Sequence, residues 1–157
     1  MLLPFFEWCE ATTIGQTIRE SLWLFPVIES IHLLGLAMIG GAVLLVDFRL
    51  MGVGLSRQPV GQLARDIHPW LVGSLAVMLV TGILLFLSES IRCYYSPPFW
   101  WKMQFLLAAI LYTFTVRRKV ALSDENRVGP FWGRVVALVS LSLWFGVAFS
   151  GRWISFY

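Results

Sequence analysis

Hydrophobic residues along this chain fall into four long blocks separated by short polar stretches: Leu22–Val46, Pro69–Leu87, Phe99–Val116 and Val135–Phe149. A helix needs roughly 20 mainly apolar residues to cross the hydrocarbon of a bilayer. The first two blocks reach that length unaided. The third is short, and the fourth reaches it once Phe131–Trp132 and Gly151–Trp153 extend it into the interfaces. The pattern predicts an all-α integral membrane fold: a bundle of four transmembrane helices over residues 22–46, 68–88, 99–117 and 132–152, in one membrane domain covering 1–157. Ahead of it, apolar Leu2, Leu3, Phe5, Phe6 and Trp8 give way to polar Thr12–Glu20. Thr13 followed by Gln16 matches a capping box. A helix is therefore expected from Ile14 towards the first span, as an amphipathic segment lying on the interface.

Breakers and small residues refine these elements. Pro26 lies inside the first block, where a missing backbone donor predicts a kink one turn before Glu29. Asp66-Ile67-His68-Pro69 reads as the start of the second span, with Pro69 at the first helical position. Ser96-Pro97-Pro98 opens the third and bars helix upstream of it. Ser142, Gly146 and Ser150 repeat every four residues along the last span. Such a stripe lets helices approach closely, inside the bundle or against a second copy. A homo-oligomer or other membrane subunits therefore join the lipid bilayer as expected partners. Tyr94, Tyr95, Trp100, Trp101, Trp153 and Tyr157 form an aromatic belt at one interface, with Trp70 and Trp132 at the other.

Composition supports the membrane reading. The chain is 58% hydrophobic and 13% charged, with a mean hydropathy of +0.75, too little charge to cover a soluble domain of this length. The first and third connections carry Arg49, Arg57, Arg65, Arg117, Arg118, Lys119, Arg127 and Arg134, against Arg19, Arg92, Lys102 and Arg152 on the other side. The positive-inside rule then places both termini at the exterior face of a bacterial inner membrane. The net charge of +3 follows from this topology, and no nucleic-acid partner is expected, since Arg117–Lys119 stands at a helix end. The first ten residues hold Glu7 and Glu10 and no basic residue, unlike a signal peptide. Cys9 and Cys93 share the outer compartment, where a disulfide can form; the sequence leaves a bridge and two separate thiols both open.

Against this apolar background the polar residues stand out. Glu29 and His32 share a helical face inside the first span, and ionisable groups at that depth mark a functional site by default. Thr81, Lys102 and Gln104 come from comparable depth on other spans, with Ser140 and Ser142 further in, so a polar layer around Glu29 and His32 is expected. Lys102 is long enough to reach Glu29 or to snorkel outward. Asp47 and Arg49 read as an ion pair at the cytoplasmic edge, joined there by His68. Haem b is the one cofactor the sequence offers, with His32 as an axial ligand. His68 lies roughly 20 Å away in depth at 1.5 Å rise per residue, so the two histidines do not share one iron. No second Glu-x-x-His, no metal-ligand cluster and no catalytic nucleophile–base pair is present, and the connections read as too short to build a pocket.

The run Pro26-Val27-Ile28-Glu29-Ser30-Ile31-His32-Leu33-Leu34-Gly35 resembles a signature of small bacterial multi-pass proteins grouped as a domain of unknown function. Asp47-Phe48-Arg49-Leu50-Met51-Gly52, Pro69-Trp70, Thr81-Gly82 and Phe99-Trp100-Trp101-Lys102 follow in that family's order. The resemblance implies a four-helix inner-membrane protein and brings no activity with it. More distantly, the architecture is similar to membrane cytochrome b subunits and copper-resistance membrane domains, which place two histidines at matched depth. Three functions follow: a non-enzymatic membrane subunit or scaffold, a transporter or proton relay built on Glu29 and His32, and a redox subunit with His32 on haem.

Overall fold

A computed structural model describes residues 2–54, 57–123 and 127–157, and every regular element among them is helical. In chain order these are α1 (Leu3–Glu10), α2 (Thr13–Glu20), α3 (Leu24–Leu50), α4 (Val60–Ser88), α5 (Ser90–Tyr95), α6 (Pro97–Tyr112), a π turn (Thr113–Arg117), α7 (Arg118–Leu122) and α8 (Pro130–Ile154). Three of them, α3, α4 and α8, are long and apolar enough to cross a membrane. The expected third span is not one α-helix. Helical backbone does run without a break from Pro97 to Leu122, but the π turn divides it.

Several boundaries differ from the hydropathy pattern, each for a local reason. The cap of α2 is Thr12, whose hydroxyl accepts from the Gly15 N–H, rather than Thr13. The helix does not run on into the first span, because Ser21 is extended and its hydroxyl accepts from the Leu24 N–H to start α3 afresh. Pro26 consequently lies in the first turn of α3, where its missing N–H breaks no helical bond, so it gives no kink there. The α4 helix starts at Val60 behind Pro59, and Pro69 is interior. The buried stripe Val60, Leu63, Leu71, Leu75, Met78 and Thr81 shows why: helical periodicity begins nine residues before continuous hydrophobicity does. Upstream of Pro97 the short α5 is helical, ending where Ser96 turns extended.

Packing centres on α3, which lies against both α4 and α8, while α6 packs on α8. The core between them is Ile39, Val43, Leu71, Leu75, Met78, Leu106, Ala109, Trp144 and Val147. At Gly133 a Cβ would stand 2.9 Å from the Leu50 carbonyl oxygen, so the first turn of α8 closes directly onto the end of α3. The expected small-residue stripe serves this intrachain packing. Gly146 lies under the Phe105 ring and Ser150 is buried, whereas Ser142 is exposed and bonds back to Leu138.

Inside this apolar bundle lies one ion pair. Asp47 is 0% exposed, and its Oδ1 accepts from Arg117 Nε at 2.6 Å. The same guanidinium donates to the Val43 carbonyl at 3.2 Å. Asp47 is thus not paired with Arg49 at a solvated edge; Arg49 instead donates to the Gln58 carbonyl. The π turn explains how Arg117 points inward. Ala109, Thr113, Arg117 and Ala121 are all buried at four-residue steps. In an α-helix each such step drifts by about 40°, and the wider π turn removes that drift. Trp144 Nε1 donates to Thr113 Oγ1 in the same layer, and the Tyr112 hydroxyl donates to the Val136 carbonyl.

At the opposite end, α1 seals the bundle. Phe6 is buried among Phe86, Tyr94, Phe99 and Trp100, with ring centroids 5.1–6.4 Å away. Glu10 accepts from the Ile91 N–H at the start of α5, and Ser90 donates to the Phe6 carbonyl. Tyr94 and Trp100, expected in the aromatic belt, belong to this plug, while Tyr95, Trp101, Trp153, Tyr157, Trp70 and Trp132 are exposed as a belt requires.

Removing one partner of a buried ion pair strands the other charge. Asp47→Leu or Arg117→Met alone is expected to cost about 3–5 kcal/mol. The double variant should recover most of that loss, as read by denaturant unfolding in detergent.

Candidate functional site

The candidate site lies between the core layer and the aromatic plug. His32 stands eight residues into α3, half-buried, and its Nδ1 lies 2.9 Å from Thr81 Oγ1 on α4. Thr81 has one hydroxyl proton, and its oxygen lies 2.7 Å from the Val77 carbonyl and 3.2 Å from that of Met78. A carbonyl can only accept, so the proton goes to the α4 backbone and the hydroxyl oxygen accepts from His32 Nδ1–H. The ring is therefore held as the Nδ1–H tautomer with the lone pair on Nε2. Gly82 makes room for it: a Cβ there would stand 3.3 Å from His32 Cε1.

Lys102, near the start of α6, completes the site. Its side chain folds inward over Gly151 of α8, with Nζ 3.5 Å from where a Cβ on that glycine would lie. Among the described residues it has no hydrogen bond and no ion pair. It is the charged group that acts on His32 and, from its other side, on Cys93 of α5. His32, Thr81, Lys102 and Cys93 thus come together from α3, α4, α6 and α5.

Other expected members lie elsewhere. Glu29 is exposed on α3 and makes no hydrogen bond or ion pair among the described residues, so neither His32 nor Lys102 is its partner. Gln104 is exposed, and Ser140 lies with Asp47 in the lower layer, where Ser140 Oγ and Asp47 Oδ2 are buried without a hydrogen-bond partner. His68 is a mid-helix residue of α4 whose Nε2 lies 2.9 Å from Arg118 NH1, and it remains roughly 20 Å along the helix from Thr81. Arg117 and Arg118, read as charges at a helix end, are thereby engaged with side chains of other helices. The short connections do form a pocket: a cavity of about 230 Å³ opens at the basic end between Arg49, Gly52, Ser123, Gly129 and Arg134. No cluster of three or more metal-ligating His, Cys, Asp or Glu occurs among the described residues.

A family model matches residues 5–157. The chain belongs to DUF6644, a family of unknown function. No characterised protein and no solved structure matches it. The DUF6644 match covers the signature around Glu29 and His32 and continues through the buried Asp47–Arg117 layer to the end of α8.

Both thiols are free in this DUF6644 chain, with Cys9 buried and Cys93 partly so. Burial pushes the Cys9 thiol up. Burial, reinforced by the Glu89 carboxylate, pushes Cys93 up to about 11. Alkylation requires the thiolate, so Cys93 should react with iodoacetamide at pH 8 roughly 100-fold more slowly than an unperturbed cysteine. Its rate should climb about tenfold per pH unit until pH approaches that pKa. Mass-spectrometric labelling over a pH series checks this.

Proposed function

We propose that this protein is a four-span membrane subunit carrying a b-type haem on His32. The observation that carries the reading is the hydrogen bond from His32 Nδ1 to Thr81. Histidines that ligate metals characteristically donate their other ring N–H to an acceptor, which fixes the tautomer and aims the ring. His32 is held in that form, with Nε2 in no hydrogen bond among the described residues. The relay reading needs Glu29 beside His32, and Glu29 instead faces outward. A scaffold alone gives no reason for an unpaired lysine folded inward at the same level. The protein supplies the ligand and its orientation, and the cofactor supplies the redox chemistry.

In this reading the path from Pro97 to Leu122 is the fourth span, since α6, the π turn and α7 form one helical column. The basic connections then face the cytoplasm of a bacterial inner membrane and α1, α2 and α5 the exterior, with α1 and α2 along the interface. The haem site lies in the outer half of the bilayer.

Two measurements test the proposal. In a chain lacking Cys9 and Cys93, an impermeant maleimide should label Tyr95→Cys from outside and Ser123→Cys only after permeabilisation; the reverse pattern overturns the topology. The full chain, purified in detergent after expression with haem supplementation, should give Soret and α bands in its reduced-minus-oxidised spectrum. These should persist in Glu29→Gln, vanish in His32→Ala, and require about 10–100-fold more haem to saturate in Thr81→Val. A flat spectrum for the unsubstituted protein removes the haem reading.

A further inference from the structure

We infer that Lys102 supplies the sixth ligand to the iron, opposite His32. This rests on the haem reading above and names the ligand that the absence of a second histidine in α6 and α8 leaves open.

The argument starts from where a lysine at this position would otherwise go. Near the end of a membrane helix a lysine normally extends its four-carbon stem along apolar surface and leaves its ammonium in water. From the second turn of α6, a short outward reach would achieve that. The side chain turns inward instead, across the one surface of α8 that has no side chain, Gly151. There its nitrogen gains no carboxylate, carbonyl or hydroxyl partner among the described residues. Its electrostatic neighbours are the His32 ring and the Cys93 thiol. A cation withdrawn from water with no counter-charge is costly, and the cost disappears if the nitrogen is a neutral amine bound to a metal.

The placement of the two helices fits this role. The α3 and α6 helices each pack on α8, which puts them on opposite sides of it in the bundle. Cofactor sites in helical bundles are built from side chains on facing helices. The aromatic plug of Phe6, Phe86, Phe99 and Trp100 covers the same end of the bundle and supplies flat apolar surface. Ligation uses the amine lone pair, so the ammonium gives up one proton to water at the outer face as the nitrogen–iron bond forms. The proton on His32 Nδ1 stays on Thr81 throughout.

The test is the spin state of the ferric protein, read by visible and electron paramagnetic resonance spectra of the full chain loaded with haem b in detergent. The unsubstituted protein should be six-coordinate and low-spin. Lys102→Ala should keep haem through His32 but become high-spin, with the Soret band moved to shorter wavelength. Lys102→Met should restore a low-spin state and add the charge-transfer band of a thioether–iron bond. Cys93→Ala should leave the spectrum unchanged. A low-spin spectrum that persists in Lys102→Ala overturns the inference while leaving haem on His32 intact, as does a shift produced by Cys93→Ala in its place. A protein with no haem bands at all fails at the earlier step, and the two failures are therefore distinct.

Discussion

One charge pair constrains the whole bundle. Asp47 and Arg117 are fully enclosed by four apolar helices, and neither can be buried alone: the effective penalty for desolvating an unpaired ion is several kcal/mol. The pair therefore dictates that the end of α3 and the π turn lie side by side. Arg117 also takes the Val43 carbonyl, which fixes rotation as well as distance. Once α3 and α6 are set this way, α8 fills the space beside both, and Trp144 reaches Thr113 one turn above the arginine. Apolar packing is nondirectional. The ion pair and its hydrogen bonds select one register among the many that leucine and valine would tolerate.

Much of this was legible in the sequence, and the failures have physical causes. The four hydrophobic blocks located the long helices because bilayer-length hydrophobicity is a property of local composition. Val60 was missed because Gln62, Arg65 and Asp66 lower the local hydropathy while occupying the exposed side of a regular helical stripe. Arg117 was read as a helix-end charge because three basic residues in a row look alike in one dimension. The four-residue row Ala109, Thr113, Arg117 and Ala121 was present as a signal, but its meaning depends on a π turn that no residue type announces. His32 was visible as an outlier in polarity. Its partner was not, since Thr81 is 49 positions away and threonine is unremarkable in a membrane helix. Glu29 is the opposite case: three residues from His32 along the chain, and yet directed elsewhere.

The two polar layers differ in what they leave unspent. In the Asp47 layer nearly every strong donor is committed, and rigidity follows. In the His32 layer the ring is oriented from one side only, and the neighbouring lysine is held in place by shape rather than by a hydrogen bond. A site that must accept something new benefits from that contrast, with a fixed lower layer serving as the platform for a receptive upper one.

The plug at the N-terminal end also sets an order of events during synthesis. Phe6 and Glu10 leave the ribosome among the first residues, yet their partners Ser90 and Ile91 are more than eighty positions later. Until α4 and α5 have been made, α1 has nothing to close upon. Throughout that interval the upper chamber stands open to the surroundings. Sealing is thus a late step in biogenesis, and any cargo too large to pass the finished aromatic cover has its opportunity to enter before α1 comes down.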